Sequence, residues 1–187
     1  MHEEVRKAGE SLQKGFVILY PTDTIWGIGC DATNPEPVAR VYRIKHRSDR
    51  KSMLVLIDDL SRLSSYVETI PDAALRLIES SEKPTTIIYP EAKNLATNLI
   101  ASDGSIGIRI TSDPFCRQLI RYIGKPIVST SANISGKRSP SSFREIDPEV
   151  VEQVDYTVDW RKEEETGTTP SALVKVERDG NMTWLRS

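Results

Sequence analysis

Four short polar segments carry the groups of this chain that could do chemistry. The first, RVYRIKHRSDRK at residues 40–51, packs six Lys/Arg and one Asp into twelve residues. Its Lys45-His46-Arg47 unit, leaving a helix, puts two cations on neighbouring faces, which suits a triphosphate or a carboxylate. A charge run of this kind is equally readable as a solvated helix end. The second segment, STSANISGK, offers Ser129, Thr130, Ser131, Asn133 and Ser135 directly after an apolar run, with Gly136 for a tight turn. Such a loop cradles phosphate through N–H groups and hydroxyls, although the same residues also dominate ordinary turns. The third is PTDT, with Thr22, Asp23 and Thr24 at the end of the first apolar run. The fourth is Arg109 within SIGIRI, a cation among apolar residues that needs an anionic partner, either a protein carboxylate or a ligand.

What is missing narrows the reaction class. The chain has no GxxxxGK[ST] loop, no GxGxxG after a strand, no HExxH and no GxSxG. Its two histidines are His2 and His46, and its two cysteines are Cys30 and Cys116, so neither a metal cage nor a disulfide framework can be built from them. A Ser-His-Asp triad would have to use His46, whose cationic neighbours Arg43, Lys45, Arg47 and Arg50 disfavour proton uptake. Cations and hydroxyls without a base, a nucleophile or a metal cage suit a reaction of positioning and charge neutralisation. Phosphoryl or nucleotidyl transfer fits that inventory.

These segments need a scaffold, and the periodicity supplies one. Val5, Ala8 and Leu12 predict a helix ended near Gly15, and FVILY a strand at 16–20. Val38, Val41 and Tyr42 predict a short helix, MLVLI a strand at 53–57, and Asp58 or Asp59 a cap. Pro71-Asp72 opens a helix with Ala74, Leu75 and Ile78 inward. TTIIY at 85–89 and SIGIRI at 105–110 read as strands, and Asp113-Pro114 caps a helix ended by Gly124. PIVST is a strand, Asp147-Pro148 starts a last helix, and YTVDW is a strand. RKEEETGTTP reads as a solvated connection, and ALVKVERDGNMTWLR as a β-hairpin. Trp26, Trp160 and Trp184 read as core or rim aromatics. The 187 residues, 38% hydrophobic and 28% charged with net charge -2, predict one α/β domain over 1–187 around a mixed sheet. That balance excludes a disordered tail protein and a uniformly basic nucleic-acid coat. The first apolar run is only five residues long, Phe16 to Tyr20, which predicts no membrane span. Together with the free cysteines this points to the reducing cytoplasm.

Taken in order, the segments resemble the YrdC family of threonylcarbamoyl-AMP synthases, which includes the YciO branch. The family's PTET(V)YGLG stands here as PTDTIWGIG, its K-x-R as Lys45-His46-Arg47, and its S-x-N as Ser131-Ala132-Asn133. KPTTIIYP is similar to its PGPLT strand, GSIGIRI to its VAVR strand and PSALV to its STIID, over residues 3–187. The resemblance implies a twisted mixed sheet flanked by helices around a central cavity. It implies a reaction of L-threonine, bicarbonate or CO2, and ATP to threonylcarbamoyl-AMP and pyrophosphate, with magnesium carried by ATP. The product would serve tRNA threonylcarbamoyl-transfer proteins; the alternative that the resemblance leaves open is a YciO-like RNA- or nucleotide-binding protein without threonine-dependent synthase activity, with tRNA or double-stranded RNA as a partner of the cavity. Lys45, Arg47, Ser131 and Asn133 are the implied catalytic tetrad, and Thr22, Arg109 and Ser171 would hold threonine. Arg47, Lys51, Ser105, Thr130, Ser131, Asn133, Lys137 and Arg186 would surround ATP. Three departures are visible. Ser48 and Lys51-Ser52 stand where the family has Pro and Asn-Pro, Leu56 where typical members have a threonine-binding His, and Ala172 in place of Thr.

Overall fold

A computed structural model describes residues 1–47, 53–164 and 169–187. Helix α1 (His2–Gln13) buries Val5, Ala8 and Leu12, and the chain leaves it through Gly15 at φ 77°. β1 (Ile18–Tyr20) and β2 (Gly27–Gly29) pair antiparallel around the PTDT turn. Glycine is needed in β2 because a Cβ on Gly29 would lie 2.4 Å from the Val128 carbonyl oxygen. α2 (Pro35–Ile44) starts at Asn34, whose side chain accepts the Glu36 N–H, and ends at Lys45. β3 (Leu54–Ile57) leads into a short 3-10 turn capped by Asp59, then α3 (Asp72–Ser80) and β4 (Thr85–Tyr89).

β5 (Ile106–Ile110) is followed by α4 (Pro114–Ile123), capped by Asp113 and closed by Gly124 at φ 69°. β6 (Ile127–Ser131) enters the SANISGKRSP loop, α5 (Pro148–Gln153) is capped by Asp147, and β7 (Tyr156–Thr157) is a two-residue strand. β8 (Ala172–Val176) and β9 (Met182–Arg186) form the expected hairpin. Two expectations are corrected. Leu77 rather than Leu75 joins Ala74 and Ile78 on the packed face of α3, because one helical turn separates i from i+3 and i+4. YTVDW is cut short after Thr157, as the Asp159 N–H turns away to the Glu4 carboxylate at 2.7 Å.

The nine strands make one mixed sheet in the order β7-β1-β2-β6-β3-β5-β4-β8-β9, an order that local spacing does not encode. Strand alternation sorts the side chains onto two faces. Val55, Ile57, Ile87, Tyr89, Ile108 and Val174 face one core, shared with α2 and α3 residues such as Val41 and Ala74. Ile18, Tyr20, Leu56 and Ile127 face the other way, beneath Val5 and Leu12 of α1 and Phe115 and Leu119 of α4. α1 and α4 cover only part of that second face. The rest of it, on β5, β4 and β8, opens into a cavity.

Candidate functional site

The cavity has a volume of about 260 Å³. Alternation delivers its floor: Thr86 and Ile88 from β4, Gly107 and Arg109 from β5, and Leu173 from β8 point opposite to their core-facing neighbours. Among the described residues the wall carries three guanidiniums, from Arg47, Arg109 and Arg186, and eight hydroxyls, and none of them brings a carboxylate to it. A wall of that composition takes an anion.

Thr22 and Arg109 sit together. Both are 2% exposed; the Thr22 hydroxyl donates to the Ile25 carbonyl at 2.7 Å and accepts the Thr24 N–H at 3.1 Å, which fixes the PTDT turn. Arg109 meets the Asp23 carboxylate at 3.0 Å and donates to the Thr24 hydroxyl at 3.3 Å, so the anionic partner its burial demands is a protein carboxylate. Ser171, 4% exposed, shares a hydrogen bond of 2.8 Å with Thr86, and its carbonyl accepts from Arg186 Nε at 2.8 Å. Arg186 reaches the wall through a β-bulge. Trp184 opposes Val174 and Arg186 opposes Leu173, so Leu185 is the extra residue, and the bulge turns the guanidinium onto the cavity side. Burial and the nearby Arg109 lower the pKa of Arg186, as expected among like charges.

Arg47 lines the cavity and donates to the Thr130 hydroxyl at 3.4 Å, and Thr130 and Ser131 line it beside Arg47. Lys45 does not reach the wall. Its ammonium, 2% exposed, turns into the loop after β6 and donates to the carbonyls of Ser131 and Asn133, the latter at 2.8 Å, and to Asn133 Oδ1 at 3.3 Å. Burial, with Arg47 adding to it, pushes its pKa down to about 7. Asn133 holds the same loop through Nδ2, which donates to the Lys137 carbonyl at 2.6 Å. Lys137 lies on the outer side of the loop and pairs with Asp147 at 2.7 Å. Ser105, also away from the wall, donates to Asp103 at 2.6 Å in the turn that opens β5. Lys51, Ser48 and Ser52 lie outside the described residues.

Leu56 is fully buried opposite Arg109 in the β3–β5 register, in the apolar cluster under α1 and α4. Two hydroxyls of the wall lie outside the segments that the sequence points to: Thr86 and Ser139. Alternation in TTIIY would have put Thr86 opposite to Ile87 and Tyr89, but nothing local says which face holds the cavity. Trp26 is fully buried against Phe143, Trp160 is half-buried, and Trp184 stands 51% exposed on the edge strand. Cys30 and Cys116 are buried and their thiols are pushed up by that burial, which removes them as nucleophiles. Among the described residues no group of three or more His, Cys, Asp or Glu is placed to hold a metal. None of their helices is long and apolar enough to cross a membrane.

The family model Sua5/YciO/YrdC, described as "Telomere recombination", matches residues 10–187. The chain belongs to that family. A threonylcarbamoyl-AMP synthase of Pseudoalteromonas translucida is 35% identical over 174 residues, which is 91% of this chain and 91% of that one. E. coli YciO superposes with a TM-score of 0.87 at 27% identity, over 100% of this chain and 90% of that chain. P. abyssi Sua5, solved in complex with L-threonine, gives a TM-score of 0.89 at 24% identity, over 100% of this chain and 54% of that one. The chain thus spans about half the length of that Sua5. Membership of the Sua5/YciO/YrdC family gives the mixed α/β architecture its counterpart in solved structures, with the Lys-X-Arg unit and the S-x-N loop in the expected chain order.

Proposed function

We propose that this chain is an L-threonylcarbamoyladenylate synthase, a nucleotidyltransferase that makes threonylcarbamoyl-AMP and pyrophosphate from L-threonine, bicarbonate or CO2, and ATP. The observation that carries the proposal is a wall whose described residues bring three guanidiniums and eight hydroxyls together, in a family whose relatives bear that activity as their name. Thr22, Arg109 and Ser171 form the buried end suited to threonine, whose carboxylate finds the Arg109 guanidinium. Arg47, Thr130 and Ser131 form the other end, suited to the triphosphate, and Arg186 joins the two through its bond to the Ser171 carbonyl.

The reaction asks little covalent chemistry of the protein. Threonine and CO2 give a carbamate; one carbamate oxygen attacks the α-phosphorus of ATP, a P–O bond forms, and the bond to the β-phosphate oxygen breaks to release pyrophosphate. Guanidiniums aimed at the phosphates stabilise the charge that develops in that step. Lys45 and Asn133 act here by holding the loop that presents Thr130 and Ser131, while Lys137 and Ser105 face away from the triphosphate end. Magnesium is implied by ATP; the described residues of the wall offer it hydroxyls and guanidiniums, so the ion would be carried by the phosphates and no step is assigned to it. The product, an activated carbamate, is handed on for transfer to a tRNA adenosine by partner proteins.

The test is pyrophosphate release in the presence of ATP, bicarbonate and threonine. Release should require threonine. Release without threonine, or none at all, overturns the proposal.

A further inference from the structure

The segment RKEEE between β7 and β8 reads in the sequence as a solvated connection, yet its first residue is fastened. The Arg161 side chain is 23% exposed, and its backbone takes φ 60°, a left-handed conformation costly for a residue with a Cβ. Its Nη1 donates to Asp113 Oδ2 at 2.7 Å, its Nε to Glu164 at 2.8 Å and its Nη2 to the Thr22 carbonyl at 3.5 Å. It lies outside the cavity wall.

Both inner partners lead to the buried end of the cavity. The Asp113 N–H donates to the Thr111 hydroxyl at 3.2 Å, that hydroxyl donates to Asp23 Oδ2 at 3.3 Å, and Asp23 Oδ1 meets Arg109 at 3.0 Å. The PTDT turn is therefore gripped from inside the cavity by Arg109 and from outside by Arg161. The α4 cap does not depend on Arg161, because Asp113 accepts the Cys116 N–H with its other oxygen at 2.9 Å. We propose that Arg161 is a positioning residue: it fixes the PTDT turn, and with it Thr22 and Arg109, without touching substrate.

The kinetic part of this inference rests on the synthase reading; its structural part does not. Hydrogen exchange of the Thr24 N–H, which donates to the Thr22 hydroxyl, reports the turn directly. In Arg161→Ala that amide should exchange about tenfold faster, while Leu119 in α4 exchanges as in the unaltered protein. KM for threonine should rise about tenfold with KM for ATP within about twofold, since misplacing one end of a site costs the substrate held there. Arg161→Lys, which keeps a cation beside Asp113, should fall between. Arg40→Ala, which breaks a surface ion pair with Asp155 at 2.6 Å, is the control and should change neither readout. Unchanged Thr24 exchange overturns the proposal, as does an equal rise in both KM values or faster exchange throughout the protein. If the unaltered protein releases no pyrophosphate with threonine, the synthase reading falls while Thr24 exchange still decides the role of Arg161.

Discussion

At one end of the cavity Thr22, Arg109 and Ser171 are each no more than 4% exposed, and each already holds a protein partner: the Ile25 carbonyl, Asp23 and Thr86. At the other end Arg47 and Ser131 are half-buried, while Arg186, exposed, joins the two ends through its bond to the Ser171 carbonyl. The first end is set before any ligand arrives, so a substrate there meets fixed dipoles and loses little to reorganisation. The second is less enclosed, and a polyanion there would meet the Arg47 guanidinium beside the Thr130 hydroxyl. On the proposed reading, the small substrate would be selected by a rigid socket and the nucleotide gathered by charge.

Four experiments break or sharpen that contrast. The largest effect is expected from Arg109→Ala, which strands the Asp23 carboxylate in a largely buried site. Urea unfolding should show a loss of about 3–5 kcal/mol, because an unpaired buried charge remains. Removing both partners in Asp23→Ala with Arg109→Ala should cost less than the two single losses added together. An unaltered unfolding midpoint for Arg109→Ala would mean that the socket is not built in advance.

Arg47→Ala comes next. It should lower turnover by about a hundredfold or more, the scale of a lost charge-stabilising donor, and leave the unfolding midpoint almost in place. Equal damage to stability would erase the difference between the two ends.

Lys45 holds the loop that presents Thr130 and Ser131, and pH reads it. Its pKa is lowered from 10.5 to about 7 by burial, with Arg47 adding. Above about pH 7 the folded chain releases this proton while the unfolded chain keeps it. Stability should therefore rise from about pH 7 towards 10.5, by at most about 1.4 kcal/mol per pH unit. Lys45→Met should flatten that slope; an identical slope in the variant would assign it to another group.

The smallest effect belongs to Lys137→Ala. Its amine is exposed and paired with Asp147 on the outer side of the loop, so KM for ATP should stay within about twofold, as for a surface pair. A larger loss in KM for ATP would bring the triphosphate end round the outside of the loop.

Much of the fold is legible along the chain because its signals act over a few residues. Asp59, Asp113 and Asp147 each accept an N–H two or three residues on, and Gly124 closes α4 in the left-handed region, as their spacing predicts. The six ordered motifs likewise lead to the family whose model covers residues 10–187. Other features are invisible at that range. That Lys45 turns into the loop while Arg47, two residues on, meets the cavity depends on how α2 docks against β6 and its loop. RKEEE is polar in any reading, and only the approach of Asp113 and Thr22 makes an anchor of Arg161.

The sequence by itself determined the elements, their caps, the hairpin, and an inventory of cations and hydroxyls without a metal cage or nucleophile. The tertiary structure alone decided the strand order, which face of β4 and β5 opens into the cavity, and the bulge at Leu185 that aims Arg186 inward. The reason is the range of the forces. Caps and periodicity are settled by neighbours within a turn or two of the chain, whereas register and cavity walls are settled by packing between strands far apart in sequence.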